Sequence, residues 1–329
     1  MDVEKGISKK YNKAIVTGGA GFIGSHLCES LVDTGIDVVS IDNYVAGRHE
    51  NVAHLKKFKN FQEVDCDVCD FDELGKHFDG VDIVFHNAAA KKNVSLADPR
   101  KDLAVNAGGT FNVLELSKTN RVKKFVHAST GSVYGEPIQF PQTEDHPLNP
   151  RSFYGVSKLA GEKYAALYEE LFDLDTTVLR YFHVFGPRQE FGEFGGVVAI
   201  FIRNLLNNEP ITIFGDGTQQ RSFTYVGDVV KANLLVAADG RTKGEVYNCA
   251  SGLKITVKEL ADLVIAGFDK TDVDIKYGDW LVGDIKEFEV DNSKIRNLGL
   301  YFSTDFREKL TETIVQMKDY ISKVTPLKR

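Results

Sequence analysis

The feature that most constrains this chain is an alternation. Short apolar runs of the buried-strand type repeat through its first half, and helical patterns separate them. KAIVT (13–17) comes first, followed by a Gly-rich turn and an apolar-periodic helix over about 22–34. DVVSI (37–41), FQEV (61–64), VDIVF (81–85), KFVHAS (124–129) and TTVLRY (176–181) continue the series. Helical stretches lie between them at about 99–119 and 152–172. Strands that alternate with helices predict an α/β fold, a doubly wound parallel sheet covered on both faces. After Tyr181 the alternation stops, and glycines, short strands (ITIF, 211–214; EVYNCA, 245–250) and scattered helices follow. The expected division is a first domain over 1–181 and a smaller C-terminal α/β domain over 182–329, with segments such as 225–250 returning to the first. Residues 1–12 are polar and predict a frayed lead-in, and the tail VTPLKR predicts a loose end.

Composition excludes several classes. With 329 residues, 43% of them hydrophobic, the chain buries a sizeable core. A net charge of −7 argues against a duplex nucleic-acid partner, whose binding domains are usually basic. No run approaches the ~20 apolar residues of a membrane span. The start MDVEKGISKKYNK has neither the apolar core nor the cleavage site of a signal peptide. Four cysteines make no disulfide framework, which fits a cytoplasmic protein. Cys66 and Cys69 form a CxxC, but a zinc site needs four ligands, and Cys28 and Cys249 stand alone, so no metal is expected.

TGGAGFIGSH (17–26) follows the first strand directly. Gly19, Gly21 and Gly24 spell GxGxxG; Gly18, Gly21 and Gly24 spell GxxGxxG. Either reading puts glycines where the chain turns sharply, where backbone approaches a pyrophosphate and where helix packs on strand. The helix N-terminus offers N–H groups and a positive dipole end to phosphates. Asp42 ends the second strand, 18 residues beyond Gly24 and close to the ~20 expected of a ribose-binding acid. A carboxylate there accepts ribose hydroxyls and repels a 2′-phosphate, which favours NAD over NADP. Arg48, six residues further on, is the counter-evidence.

Tyr154 and Lys158 form YxxxK in a predicted helix, and i, i+4 spacing puts both on one face. An ammonium beside a phenol lowers the phenol's pKa from its usual ~10, and the phenolate is then a general base toward a hydroxyl. Tyr164 and Tyr168 on the same helix read as packing residues. ASTGSVYG (128–135) ends the fifth strand at the carboxyl edge, where such sheets bind ligands, and offers Ser129, Thr130 and Ser132 to hold a substrate oxygen.

These pieces, with HNAA (86–89), Asn106 followed by Gly109–Thr110, and RYFHVFGPRQ (180–189), resemble the extended short-chain dehydrogenase/reductases. More narrowly, the chain resembles their nucleotide-sugar epimerase and dehydratase branch, over about residues 13–320. The resemblance implies a Rossmann-type first domain with NAD as cofactor. Gly18, Gly21, Phe22, Ile23 and Gly24 would hold its pyrophosphate, Asp42 and Asn43 the adenosine ribose, and Asp67 and Val68 the adenine. Ala88, Ala89 and Tyr181 would line the cofactor, and Asn106 would order the active-site helix. Thr130 would be the catalytic hydroxyl, Tyr154 the base, and Lys158 the grip on the nicotinamide ribose. A nucleotide sugar, a UDP-sugar in the first instance, would be the substrate, with Arg221 of GDGTQQRSFTYV (215–226) on the diphosphate and Phe214 near uracil. Ser132, His183 and Phe288 would complete the sugar's surroundings. The resemblance also implies a homodimer built on the helices at about 100–119 and 152–172.

Four features bear on the substrate and the reaction, three of them departures from the family pattern and the other the bulk at Phe288. His183 replaces the family's usual Asn, and LVGD (281–284) carries Leu281 where a diphosphate-binding Arg is usual, leaving Lys286 and Lys276 as candidate replacements. Phe288, four beyond Asp284, is bulky where an N-acetyl group would need room. Gly131 and Ser132 follow the catalytic Thr where the related dehydratases carry an acid. Neither does acid/base work at neutral pH, so the expected reaction is 4-epimerisation rather than loss of water.

Overall fold

A computed structural model describes residues 3–192, 195–280 and 285–324; Leu281 to Asp284 and the tail from Thr325 lie outside the described residues. Seven strands form one parallel sheet: β1 Lys13–Thr17, β2 Asp37–Asp42, β3 Phe61–Asp65, β4 Ile83–His86, β5 Lys124–Thr130, β6 Thr176–Tyr181 and β7 Glu245–Cys249. Their order is β7-β6-β5-β4-β1-β2-β3. Val16 of β1 lies beside Ser40 of β2 on one side and Phe85 of β4 on the other. The chain therefore winds outward in both directions from β1, and the crevice beyond the carboxyl ends of β1 and β4 is the switch point where such sheets bind ligands.

Alternate strand residues face opposite layers. Ala14 and Val16 pack on one side with Leu27, Cys28 and Leu31 of α1 (Phe22–Asp33). Ile15 packs on the other with Val113, Leu114 and Leu116 of α2 (Thr110–Thr119) and Ala165 and Tyr168 of α3 (Phe153–Phe172). Ser152 caps α3, its hydroxyl accepting the Gly155 N–H at 3.1 Å. Past β6 the chain builds a second core from α4 (Val197–Leu206), α6 (Val257–Ala266) and α7 (Phe306–Val324), with Phe201, Ile202, Leu260, Ile314 and Met317 inside it. Between α4 and α6, α5 (Val226–Ala238) goes back to the first core, and β7 pairs with β6. No helix among the described residues is long and apolar enough to cross a membrane.

Three expectations change. The lead-in is not frayed: Val3–Ser8 is helical, Ile7 and Tyr11 are buried, and the Tyr11 hydroxyl donates to the Ala237 carbonyl at 2.9 Å. Ile7 on the helix and Tyr11 just beyond it pack into the core that α5 shares, and Lys10 also donates to the Ala238 carbonyl. The helix expected over 99–119 is interrupted by a π-helical turn, Leu103–Gly109, between Pro99–Asp102 and α2. The widened turn carries Asn106, whose amide is spent on tertiary bonds. Beyond β6, strands are mostly two-residue pairs, such as Gln220–Arg221 against Ile255–Thr256, too short for periodicity to reveal.

Candidate active site

A cleft of about 960 Å³ opens at the carboxyl edge of β1, β2 and β4–β6. Its floor is the glycine turn. Gly18 has φ +65°, and a Cβ there would lie 2.8 Å from the Ala88 nitrogen. A Cβ on Gly24 would lie 2.1 Å from the Gly18 carbonyl oxygen, so the close approach of α1 to β1 requires glycine. Gly21, Phe22 and Ile23 line the cleft where α1 begins. That N-terminus has no side-chain cap and no acid in its first turn, so its leading N–H groups and dipole face the cleft.

Asp42 and Asn43 line the cleft at the end of β2. Asp42 is 8% exposed; its Oδ2 accepts the Ala20 N–H at 3.0 Å and its Oδ1 the Tyr44 N–H at 2.9 Å. Burial pushes its pKa up, and the backbone donors oppose this. Arg48 also lines the cleft, where its guanidinium is 3.6 Å from the Glu190 carboxylate and 5.3 Å from the Phe191 ring centroid. Val68, Ala88, Ala89 and Tyr181 complete this wall. Asp67 does not line the cleft; its carboxylate accepts from Asn43 Nδ2 and from the Cys69 N–H, each at 2.8 Å, and so braces Asn43. Asn106 is fully buried and does not line it either. Its Oδ1 accepts the Ala90 N–H at 2.9 Å, and its Nδ2 donates to the Ala90 carbonyl (3.0 Å), Asp102 (2.7 Å) and Ser157 on α3 (3.2 Å). It ties the loop after β4 to α3, the helix it was expected to order.

Tyr154 and Lys158 line the far end of the cleft from α3. Thr130, at the tip of β5, stands behind them, close enough for its hydroxyl to act on the Tyr154 phenol. Its Oγ1 also accepts the Ser132 N–H at 3.2 Å. The expected depression of the phenol is not found in the chain alone. Burial pushes Tyr154 up to about 12, the Thr130 hydroxyl pulls it down, and Asp102 adds to the rise. Burial pulls Lys158 down to about 8, against Glu162 and Asp102. Both shifts have one cause: desolvation penalises whichever form is charged.

The Lys158 ammonium is buried with no hydrogen-bond partner among the described residues. An unpaired ammonium facing a cleft suits hydroxyl oxygens, and the open helix end suits a pyrophosphate. The residues present therefore fit a dinucleotide.

The predicted substrate residues are less gathered. His183 lines the cleft, with its ring 4.7 Å from that of Phe288. Phe288 is buried, and the Arg221 guanidinium lies 5.6 Å from its centroid. Arg221 donates to the Ile285 carbonyl at 2.8 Å and does not line the cleft. Ser132 and Phe214 do not line it either; Phe214 stands half exposed near Trp280, over which Lys286 sits at 4.7 Å. Lys276 is exposed. Gly131 is packed out: a Cβ there would lie 2.4 Å from the Phe182 ring.

Sequence reasoning missed Lys91, Glu190 and Tyr320, all on the cleft wall. Lys91 directly follows the alanines after β4 and was findable from that register. Burial pulls its pKa down, Glu190 opposing and Arg48 assisting. Tyr320 lies on the last helix, and nothing local marks it.

Comparison with known proteins agrees with this geometry. The UDP-glucose 4-epimerase of Mycolicibacterium smegmatis is 36% identical over 309 residues, 92% of this chain and 97% of that one. The UDP-N-acetylglucosamine 4-epimerase of Methanobrevibacter ruminantium M1 superposes with a TM-score of 0.89 at 35% identity, over 96% of this chain and 100% of that one. The UDP-glucuronic acid 4-epimerase of Bacillus cereus does so with a TM-score of 0.86 at 31% identity, over 94% and 99%. Residues 14–250 match the NAD dependent epimerase/dehydratase family as a whole. With a glycine turn, a buried acid at the tip of β2 and a Tyr–Lys pair on one cleft, the chain belongs to the NAD dependent epimerase/dehydratase family.

Proposed function

We propose that the chain is an NAD-dependent 4-epimerase of a UDP-hexose. The observation that carries this is the company Tyr154 keeps. Lys158 shares its helix face and lines the same cleft, the Thr130 hydroxyl acts on its phenol, and the residue after Thr130 is Gly131, with the Phe182 ring packed against it. Such a site moves one proton at one oxygen and has no group beside Thr130 to expel water from the neighbouring carbons. The same reading divides the chain into a cofactor domain, 1–181 with the segment 225–250, and a sugar-nucleotide domain in the rest of 182–329.

When bound, NAD supplies a reversible hydride acceptor for carbon 4 of the sugar and the positive charge of its nicotinamide ring. Tyr154 takes the proton of the 4-hydroxyl and later returns it. Thr130 donates a hydrogen bond that steadies the same oxygen. Lys158, cationic below about 8, favours the phenolate that burial alone disfavours. Gly18 and Gly21–Gly24 hold the pyrophosphate, Asp42 and Asn43 the adenosine ribose, and Val68, Ala88, Ala89 and Tyr181 the rings. Between the two proton transfers the keto sugar turns over, so that its other face is presented. Arg221 binds the diphosphate, and His183 and Phe288 bound the sugar. The bulk of Phe288 favours glucose and galactose over their N-acetylated forms.

We also propose a cytoplasmic homodimer. Phe111 of α2 and Tyr164, Leu167 and Leu171 of α3 form an exposed apolar face, with the Phe111 and Tyr164 rings 5.6 Å apart. Paired with its copy, that face would close a four-helix bundle.

The test is product analysis, by mass and proton NMR, with UDP-glucose, UDP-N-acetylglucosamine and UDP-glucuronate. A product of unchanged mass with an altered carbon-4 coupling is expected and names the sugar. Loss of water or carbon dioxide would overturn the assignment of epimerisation.

A further inference from the structure

The glycine turn is held from behind by groups outside any motif. Ala20, fully buried in that turn, has both polar groups engaged. Its N–H donates to Asp42 Oδ2 at 3.0 Å; its carbonyl accepts from Asn51 Nδ2 at 2.7 Å and from the Arg48 N–H at 3.0 Å. Asn51 is buried in its turn, and its Oδ1 accepts the Tyr320 phenol at 2.7 Å. Tyr320 lies 269 residues further along the chain, on α7, whose Leu310, Ile314 and Met317 belong to the second core. Its ring meets Phe191 edge-on at 6.1 Å, and both Asn51 and Tyr320 reach the cleft wall.

We propose that Tyr320 is a positioning residue for cofactor retention: through Asn51 it holds the glycine turn in the shape that receives the pyrophosphate. This rests on the NAD reading above. The physical reason is the loss of a fixed partner. Without the phenol, Asn51 Oδ1 loses its protein partner, and a water from the cleft, which can replace the bond, does not hold the amide in the orientation that donates to the Ala20 carbonyl. The turn then loses one of the two bonds on that carbonyl, and the N–H groups at the start of α1 lose their fixed aim. The second core thus clamps a cofactor that the first core cradles, although α7 contributes nothing to the glycine motif.

The test compares wild type, Tyr320→Phe, Asn51→Ala, the double variant and Ile314→Val. Ile314→Val loosens α7 without touching Asn51. Bound NAD per chain is measured after gel filtration, its dissociation rate by displacement with labelled NAD, and the thermal midpoint by circular dichroism. Wild type is expected to keep its NAD. Tyr320→Phe should release it about fivefold faster, the worth of one neutral hydrogen bond. The double variant should be no faster than Asn51→Ala, because both act through one link. Ile314→Val should lower the midpoint and leave the release rate alone. A wild-type rate in Tyr320→Phe, additivity in the double variant, or equal acceleration in Ile314→Val would each overturn the proposal. A wild type that binds no NAD would instead overturn the cofactor reading, and would do so before any variant is made.

Discussion

The two halves of the cleft are built differently. On the cofactor side, the candidate groups come from segments that are short in sequence and rigid in structure: a turn after β1, the tip of β2, the loop after β4 and one face of α3. Most of them line the cleft, with the Lys158 ammonium unpartnered there among the described residues. On the substrate side, Arg221, His183 and Phe288 come from segments far apart in sequence and are packed on one another. Arg221 reaches a backbone carbonyl and not the cleft wall. A cradle for a constant cofactor can be written into local backbone geometry. A pocket for one sugar among several is assembled from side chains that only packing brings together.

Four measurements would break or sharpen that contrast. The largest effect is expected on the cofactor side. Tyr154→Phe should cut turnover by about 10²–10⁴, the worth of a positioned general base, while bound NAD per chain stays unchanged. A near-normal rate would remove Tyr154 from the mechanism.

Next comes the buried ion pair behind the catalytic helix. Arg180 donates to both Glu162 oxygens, at 3.0 and 2.7 Å, with both side chains 4% exposed. Arg180→Met leaves an uncompensated carboxylate and should cost about 3–5 kcal/mol in urea unfolding. A loss below 1 kcal/mol would show that α3 is not anchored there.

The third prediction concerns acid. Burial, with Arg188 assisting, pulls His26 down to about 3, and burial, with Lys158 assisting, pulls His86 down to about 3. The unfolded chain therefore binds protons below about 6.5 that the folded one refuses, so stability falls as pH drops from there toward 3. Between pH 7 and pH 5 each histidine should remove on the order of 2 kcal/mol. Both brace the cofactor side: His86 bridges Thr17 and Thr110, and His26 holds the Pro187 carbonyl. A flat profile down to pH 5 would contradict their burial.

The smallest effect belongs to the substrate side. Arg221→Ala should raise the KM for the UDP-sugar by about tenfold or more, the worth of a charge-assisted hydrogen bond, with kcat and NAD retention little changed. If NAD retention fell instead, the separation of the two halves would be wrong.

What was legible follows the same line. The strands at 13–17 and 176–181 run as their apolar pattern predicts, and the Gly18–Gly24 turn lies where a strand meets a helix. These are local properties: period, turn chemistry and i, i+4 spacing. Asp67 was expected at the adenine and here braces Asn43, while Asn106, expected to order the active-site helix, bonds Ser157 on α3; a motif marks a position without saying what its side chain touches. The Tyr154 phenol was expected low and stands high, because spacing places a charge nearby while only burial sets its cost.

The sequence by itself determined the alternating α/β architecture, the glycine turn after β1, the acid at the tip of β2 and the Tyr154–Lys158 pair, since each depends on neighbours within a few residues. Tertiary structure alone decided that Phe182 closes the space beside Gly131, that Asp67 braces Asn43, and that Tyr320 reaches back to Asn51. Those contacts join residues tens to hundreds of positions apart, and no local periodicity records which distant side chain will fill a space or satisfy a buried polar atom.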